Sequence, residues 1–181
     1  KRLIERGSLS VQGSARMPAE DRPQITLITP PQVSLETFPA TLARIMDATP
    51  IACLRLSLAG RDEDQIARVA DALREVSHAR DVPIVIDRHV LMVAPHGLDG
   101  VHLPDGARSV RSLRKDLGAD AIIGAFCGRA KHDGMTAGEA GADYVAFGPI
   151  GASALGDGAV ADLDLFQWWS EIVEVPVIAA I

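Results

Sequence analysis

The sequence predicts an α/β fold made of successive βα units, of the kind that closes into a (β/α)8 TIM barrel, with the last βα unit absent from the given chain. Three observations carry this prediction. Short β-branched runs alternate with segments of helical period. The strand runs are apolar throughout, as in a parallel sheet wrapped by helices. One phrase also recurs at nearly constant spacing: Gly97-Leu98-Asp99-Gly100, Gly118-Ala119-Asp120-Ala121 and Gly141-Ala142-Asp143-Tyr144. Each copy reads as a helix end, a glycine, a small or apolar residue, an aspartate and a strand start. An open doubly wound sheet satisfies the same alternation, but the regularity of the repeat favours the barrel.

Residues 1–16 have mixed polarity and precede Met17, so they read as a leader or disordered arm, and residues 17–181 read as a single barrel domain. The first strand is expected over residues 25–29. Phe38, Leu42, Ile45 and Met46 then fall at helical spacing and share one stripe. After a second strand over 52–57, Asp62 is placed to cap a helix that hides Ile66, Val69, Ala70, Leu73 and Val76. The third strand is 84–87, and Gly97 closes the helix expected before the fourth, 100–103. Val110, Leu113 and Leu117 mark a helix closed by Gly118, ahead of a strand over 121–126. Gly141 closes the helix before the strand at 144–147. Asp162 opens the last helix, where Trp168 and Trp169 follow Phe166 and are read as packing on the sheet, and the seventh strand is expected over 176–181.

With 181 residues, 48% hydrophobic and 23% charged, the chain has material for one sizeable core, which excludes a disordered or fibrous protein. A net charge of −6 and a pI near 5.3 argue against a nucleic-acid partner, which calls for a basic surface. No run of about 18 apolar residues is present, and no charged-then-apolar signal opens the chain, so no membrane is expected. Cys53 and Cys127 lie in apolar runs without CxxC spacing, which fits buried thiols in a reducing cytoplasm and argues against zinc. Homo-oligomer formation stays open. Of the 18 basic residues only Lys1, Lys115 and Lys131 are lysines, and the arginines favour forked recognition of oxyanions.

Ligands of such folds bind beyond the carboxyl ends of the strands. Asp87 and Asp105 end the third and fourth strands there, about 4.8 Å apart at the level of the sheet, close enough to share one Mg²⁺ with water and substrate phosphate. They could equally cap the helices that follow. Arg55 sits inside an apolar strand, where a buried guanidinium demands an anion, either a ligand or a structural carboxylate. Residues 148–158 form a long glycine-rich loop suited to a lid or a phosphate cradle, though Asp157 and Gly158 stand where a Walker motif requires lysine and a hydroxyl. His102 reads as a satisfied core histidine, and neither Lys115 nor Lys131 falls at a strand end as a Schiff-base lysine would.

Five phrases taken in order resemble the thiamine phosphate synthase and TenI family: Val82 through Arg88, Gly97 through Leu103, Ile122-Ile123-Gly124, Gly141 through Ile150, and Val175 through Ala179. The resemblance implies a (β/α)8 barrel enzyme that joins hydroxymethylpyrimidine diphosphate to thiazole phosphate and releases diphosphate, with Mg²⁺ as cofactor and small phosphorylated substrates as partners. It implies that Asp87 and Asp105 are metal ligands and that Arg55 meets the diphosphate. Arg88, Arg129, Gly148, Pro149 and Ser153 are then the substrate-binding candidates. Several family positions differ in this chain. Cys53 and Ser57 replace the glutamine and lysine that flank the arginine, and Ile86 replaces the asparagine before the aspartate. The Ser-Thr-His-Thr phrase reads Phe126-Cys127-Gly128-Arg129, and the Thr-x-Thr-Lys phosphate clamp reads Ser153-Ala154-Leu155-Gly156. Arg129 is placed to compensate for one missing lysine. The alternatives are a barrel that binds a thiazole phosphate or another small phosphate without coupling it, and a flavodoxin-like interaction module.

Overall fold

The computed structural model describes residues 23–151 and 159–180 of the protein. Seven strands alternate with five α-helices: β1 (Thr26–Ile28), α1 (Phe38–Ala48), β2 (Cys53–Leu56), α2 (Glu63–His78), β3 (Ile84–Asp87), β4 (Gly100–Leu103), α3 (Val110–Leu117), β5 (Ile122–Phe126), α4 (Lys131–Glu139), β6 (Tyr144–Phe147), α5 (Leu163–Ile172) and β7 (Val177–Ala179). All neighbours pair in parallel, in sequence order from β1 to β7. The sheet curls into a nearly closed barrel, since Thr26 and Ile28 of β1 border the same cavity as Ile178 and Ala179 of β7. β1 and β7 do not pair with each other among the described residues. The expected leader at residues 1–16 lies outside the described residues, as does Ile181.

Alternation along each strand sorts the side chains into two shells. Leu54, Leu56, Ile84, Ile86, Val101, Leu103, Ile123, Val145 and Phe147 point outward and are buried in one cluster with helix residues such as Leu42, Ile66, Leu73 and Val110. Each such aliphatic side chain contributes about 1.5–3 kcal/mol when fully buried, so this outer shell carries the fold. The opposite parity faces the barrel axis. Its register rows run Ile28, Arg55, Val85, Gly100, Ile122 and, one step along, Asp87, His102, Gly124, Tyr144. The inner shell therefore holds the polar groups.

Local sequence explains the helix ends. Asp62 accepts the amides of Asp64 and Gln65 at 3.1 and 3.3 Å, and Asp162 accepts that of Asp164 at 3.1 Å, as their side chains suit. Trp169 is buried, forms edge contacts with Phe147 at 5.0 Å, and donates its indole N–H to the Val175 carbonyl at 2.7 Å, so the aromatic pair on α5 packs as expected. Lys131 covers the more exposed Trp168 at 4.4 Å. One expectation is corrected. The connection from β3 to β4 holds only a 3-10 turn at Val90–Met92, where the recurrent phrase had suggested a helix before Gly97. The turn starts from Arg88 in the left-handed region at φ +62 and meets Pro95 within a few residues, too soon for a helix to propagate.

The recurrent phrase has a structural role at the amino ends of the strands. Asp99 accepts the Ile84 amide at 2.7 Å, and Asp143 accepts the Ile123 amide at 2.7 Å, so each aspartate ties its own strand to an earlier one. Asp143 also pairs with Arg114, whose guanidinium gathers the carbonyls of Gly118, Ala119, Ala121 and Gly141 beyond the end of α3. Substituting Asp143→Ala strands the Ile123 amide and one arm of Arg114, and is expected to cost about 1–2 kcal/mol once the solvent exposure of the pair is allowed for. Urea unfolding should show a lower midpoint with an unchanged slope, and an unchanged midpoint would refute the assignment.

Candidate active site

Arg55 and Asp87 meet inside the barrel mouth. The two residues stand on adjacent strands, with Arg55 opposite Val85 and Asp87 two residues further along the same inward-facing parity. The guanidinium donates Nε to Oδ1 at 2.6 Å and Nη2 to Oδ2 at 2.9 Å, a forked pair with side chains only 20% and 15% exposed. Arg55 lies on the inward-facing side of β2, and the anion it meets there is the Asp87 carboxylate. A forked pair aligns the guanidinium plane and leaves Nη1 outside this contact, which preorganises a cation that still has a donor to offer.

His102 and Tyr144 complete the inner wall. His102 is 1% exposed, its Nδ1 lies 2.9 Å from Tyr144 Oη, and the two rings stack with centroids 5.7 Å apart. Its Nε2 is buried with no hydrogen-bond partner, which corrects the expectation of a satisfied core histidine. Burial, and secondarily the charge of Arg55, pushes the His102 pKa down to about 4, so the ring is neutral near pH 7. Burial likewise raises the Tyr144 hydroxyl above its ordinary range and the Cys53 thiol to about 11. The inner wall thus places the Arg55 guanidinium beside a His102 ring that is neutral near pH 7. Arg55, His102, Tyr144 and the small residues of β7 enclose a cavity of about 130 Å³.

The remaining candidates sit on the rim. Asp105 is exposed in the turn leaving β4, accepts from Ser109 Oγ at 3.5 Å, and shares a cavity of about 810 Å³ with Arg129 and His132. No contact joins Asp105 to the Arg55–Asp87 pair. Arg88 is exposed on the turn just after Asp87, its amide donating to the His102 carbonyl at 3.3 Å. Gly148 is buried at the end of β6, where it donates to the Gly128 carbonyl at 2.9 Å and is followed by Pro149 through a cis peptide bond. A side chain at Gly148 would meet the Ala180 carbonyl oxygen at 2.6 Å, so the chain must be bare there for the two rims to close. Ser153 lies outside the described residues.

The carboxylates present supply only part of the six oxygens that a hard cation such as Mg²⁺ takes. Asp87 spends one lone pair per oxygen on Arg55 and keeps others, and Asp105 carries a carboxylate in the turn after β4. Among the described residues no three His, Cys, Asp or Glu side chains group as a metal cage, so any ion here must draw on water and substrate oxygens, as Mg²⁺ does. Sequence reasoning missed His102 and Tyr144. The signal for His102 was a polar residue between the outward Val101 and Leu103; Tyr144 could be placed only through strand register.

Comparison with known proteins adds a second line. A family profile described as thiamine monophosphate synthase matches residues 25–180. A thiamine-phosphate synthase of Rhodospirillum centenum is 39% identical over 159 residues, covering 86% of this chain and 76% of that protein. One from Erythrobacter litoralis is 37% identical over 161 residues, with 86% and 75% covered. The solved thiamine phosphate pyrophosphorylase of Pyrococcus furiosus superposes with a TM-score of 0.72 over 87% of this chain and 74% of its own, at 19% identity, a likeness of fold.

Proposed function

Because this chain belongs to the thiamine monophosphate synthase family, we propose that it couples hydroxymethylpyrimidine diphosphate to thiazole phosphate with release of diphosphate. The observation that carries this is the forked Arg55–Asp87 pair, largely buried on the inner wall of the barrel. A coupling in which diphosphate departs and the thiazole nitrogen captures the pyrimidine methyl cation needs electrostatic stabilisation and little proton transfer. Arg55, held planar by Asp87, would meet the departing diphosphate, and the buried wall around it would keep water from the cation.

Asp87 and Asp105 would hold Mg²⁺, which when bound supplies charge neutralisation to the diphosphate oxygens. Arg129 on the shared rim cavity would replace one lysine that the family uses, Arg88 would add a cation to the substrate rim, and Gly148 and Pro149 would border a substrate phosphate. The setting proposed is the cytoplasm. Two free cysteines accord with it, and among the described residues no helix is long and apolar enough to cross a membrane.

Incubating the protein with both substrates should yield thiamine phosphate and diphosphate in equal amounts. Chelation of divalent ions is expected to lower the rate by at least about 100-fold, with recovery on adding Mg²⁺. Absence of product at high enzyme concentration, with thiazole phosphate still bound in calorimetry, would replace this reading with the non-coupling barrel.

A further inference from the structure

We propose that Tyr144 is a positioning residue: it fixes the proton of His102 on Nε2 and so turns the wall of the barrel cavity into a hydrogen-bond donor for a ring nitrogen of the pyrimidine substrate. The identity of that substrate rests on the coupling reading above, whereas the tautomer does not.

The argument begins with the unpartnered nitrogen. His102 Nε2 is buried without a hydrogen bond, on a residue that is 1% exposed and lines the cavity. A polar atom left so in an interior is a site that a ligand atom satisfies. Which role it plays depends on the other ring nitrogen. Nδ1 lies 2.9 Å from Tyr144 Oη. A phenol is the stronger acid and a neutral imidazole nitrogen the stronger base, so the favoured arrangement has Oη–H donating to Nδ1. The imidazole proton then resides on Nε2.

The tyrosine ring is held in place for this task. It stacks on His102 at an interplanar angle of 15° and lies where a side chain on Gly124 would be, since a Cβ there would stand 1.9 Å from Tyr144 Cζ. The cavity measures about 130 Å³, and besides Arg55, His102 and Tyr144 its walls are aliphatic except for Thr26. An apolar void of about 150 Å³ takes benzene, so one six-membered ring matches this space. The aliphatic walls suit the faces of a pyrimidine, and the Nε2–H suits one of its ring nitrogens, which accept.

Long-range proton–nitrogen spectra of the full chain labelled with ¹⁵N-histidine test the proposal, with the His102 signals assigned by their loss in His102→Gln. The wild-type ring should report the Nε2–H tautomer, and Tyr144→Phe should move it toward Nδ1–H. Hydroxymethylpyrimidine added to the wild type should shift the Nε2 resonance. Tyr144→Phe should weaken its binding about tenfold and raise KM for the diphosphate ester while kcat stays within about threefold. An Nδ1–H tautomer in the wild type, or unchanged binding in Tyr144→Phe, would overturn the proposal. Should that variant fail to fold, an Nε2 resonance indifferent to saturating hydroxymethylpyrimidine would overturn it instead. If the tautomer and pyrimidine binding hold while no thiamine phosphate forms, the coupling reading fails and the positioning role stands.

Discussion

Substituting Arg55→Ala should lower kcat/KM for thiamine phosphate formation by about 10²–10³-fold, the usual loss when a preorganised donor to developing negative charge is removed. The size follows from the position of the guanidinium. It is 20% exposed, forked onto Asp87, and on the inner wall of the barrel, where charge is less screened than at the surface. The substitution also leaves the Asp87 carboxylate, 15% exposed, without its partner, which adds about 1–3 kcal/mol of destabilisation. Arg55→Lys separates the two effects. Lysine keeps the charge but cannot fork, so stability should recover more than activity. Steady-state kinetics with varied pyrimidine diphosphate, alongside thermal unfolding, provide the measurement. Activity within about threefold of wild type in Arg55→Ala would remove Arg55 from the diphosphate site and with it the main support for coupling.

How far the sequence could be read depends on the range of the interactions involved. Strands β3, β4 and β6 end where the apolar runs end, because a strand buried on both sides is a local pattern. The caps at Asp62 and Asp162 were legible for the same reason: the side chain and the amides it satisfies lie within three residues. Even the recurrent glycine–aspartate phrase was visible, although its purpose was not. Asp143 reaches Ile123 across 20 residues, and only strand pairing shows the contact.

The site was legible in part for the same physical reason. An arginine between Leu54 and Leu56 announces a buried charge, and Asp87 at a strand end reads as a ligand or a cap, but their forked pairing depends on the β2–β3 register. Asp105 follows its strand as expected, yet the turn carries it to the rim beside Arg129, since a residue two steps beyond a short strand is directed by loop geometry. Tyr144 and His102, separated by 42 residues, meet across Gly124, and no local pattern encodes a ring filling the space of an absent side chain.

Gly100→Ala should be strongly destabilising, since among the described glycines an added methyl comes nearest to backbone there. Gly100 opens β4 and pairs with Ile122 of β5. A Cβ built on it would stand 1.8 Å from the Ile122 carbonyl oxygen and 2.6 Å from its carbonyl carbon. Those atoms are backbone, so no rotamer change relieves the clash. The neighbouring ladder bond from the Ile122 amide to the Asp99 carbonyl, at 2.8 Å, must stretch or break for the strands to part. Overpacking against mobile side chains costs about 1–3 kcal/mol, and a rigid partner places this case beyond that range. Total stability of a domain this size is about 5–15 kcal/mol, so the variant should be largely insoluble or should unfold at a much lower urea midpoint. Gly60→Ala is the matched control. A Cβ there meets nothing within 4 Å, and its midpoint should stay close to wild type. Because Gly100 belongs to the tie at the amino ends of the strands, Gly100→Ala should reduce the amount of folded protein while leaving KM of the folded fraction unchanged. A soluble Gly100→Ala protein with wild-type stability would show that β4 and β5 do not approach as closely as this register requires.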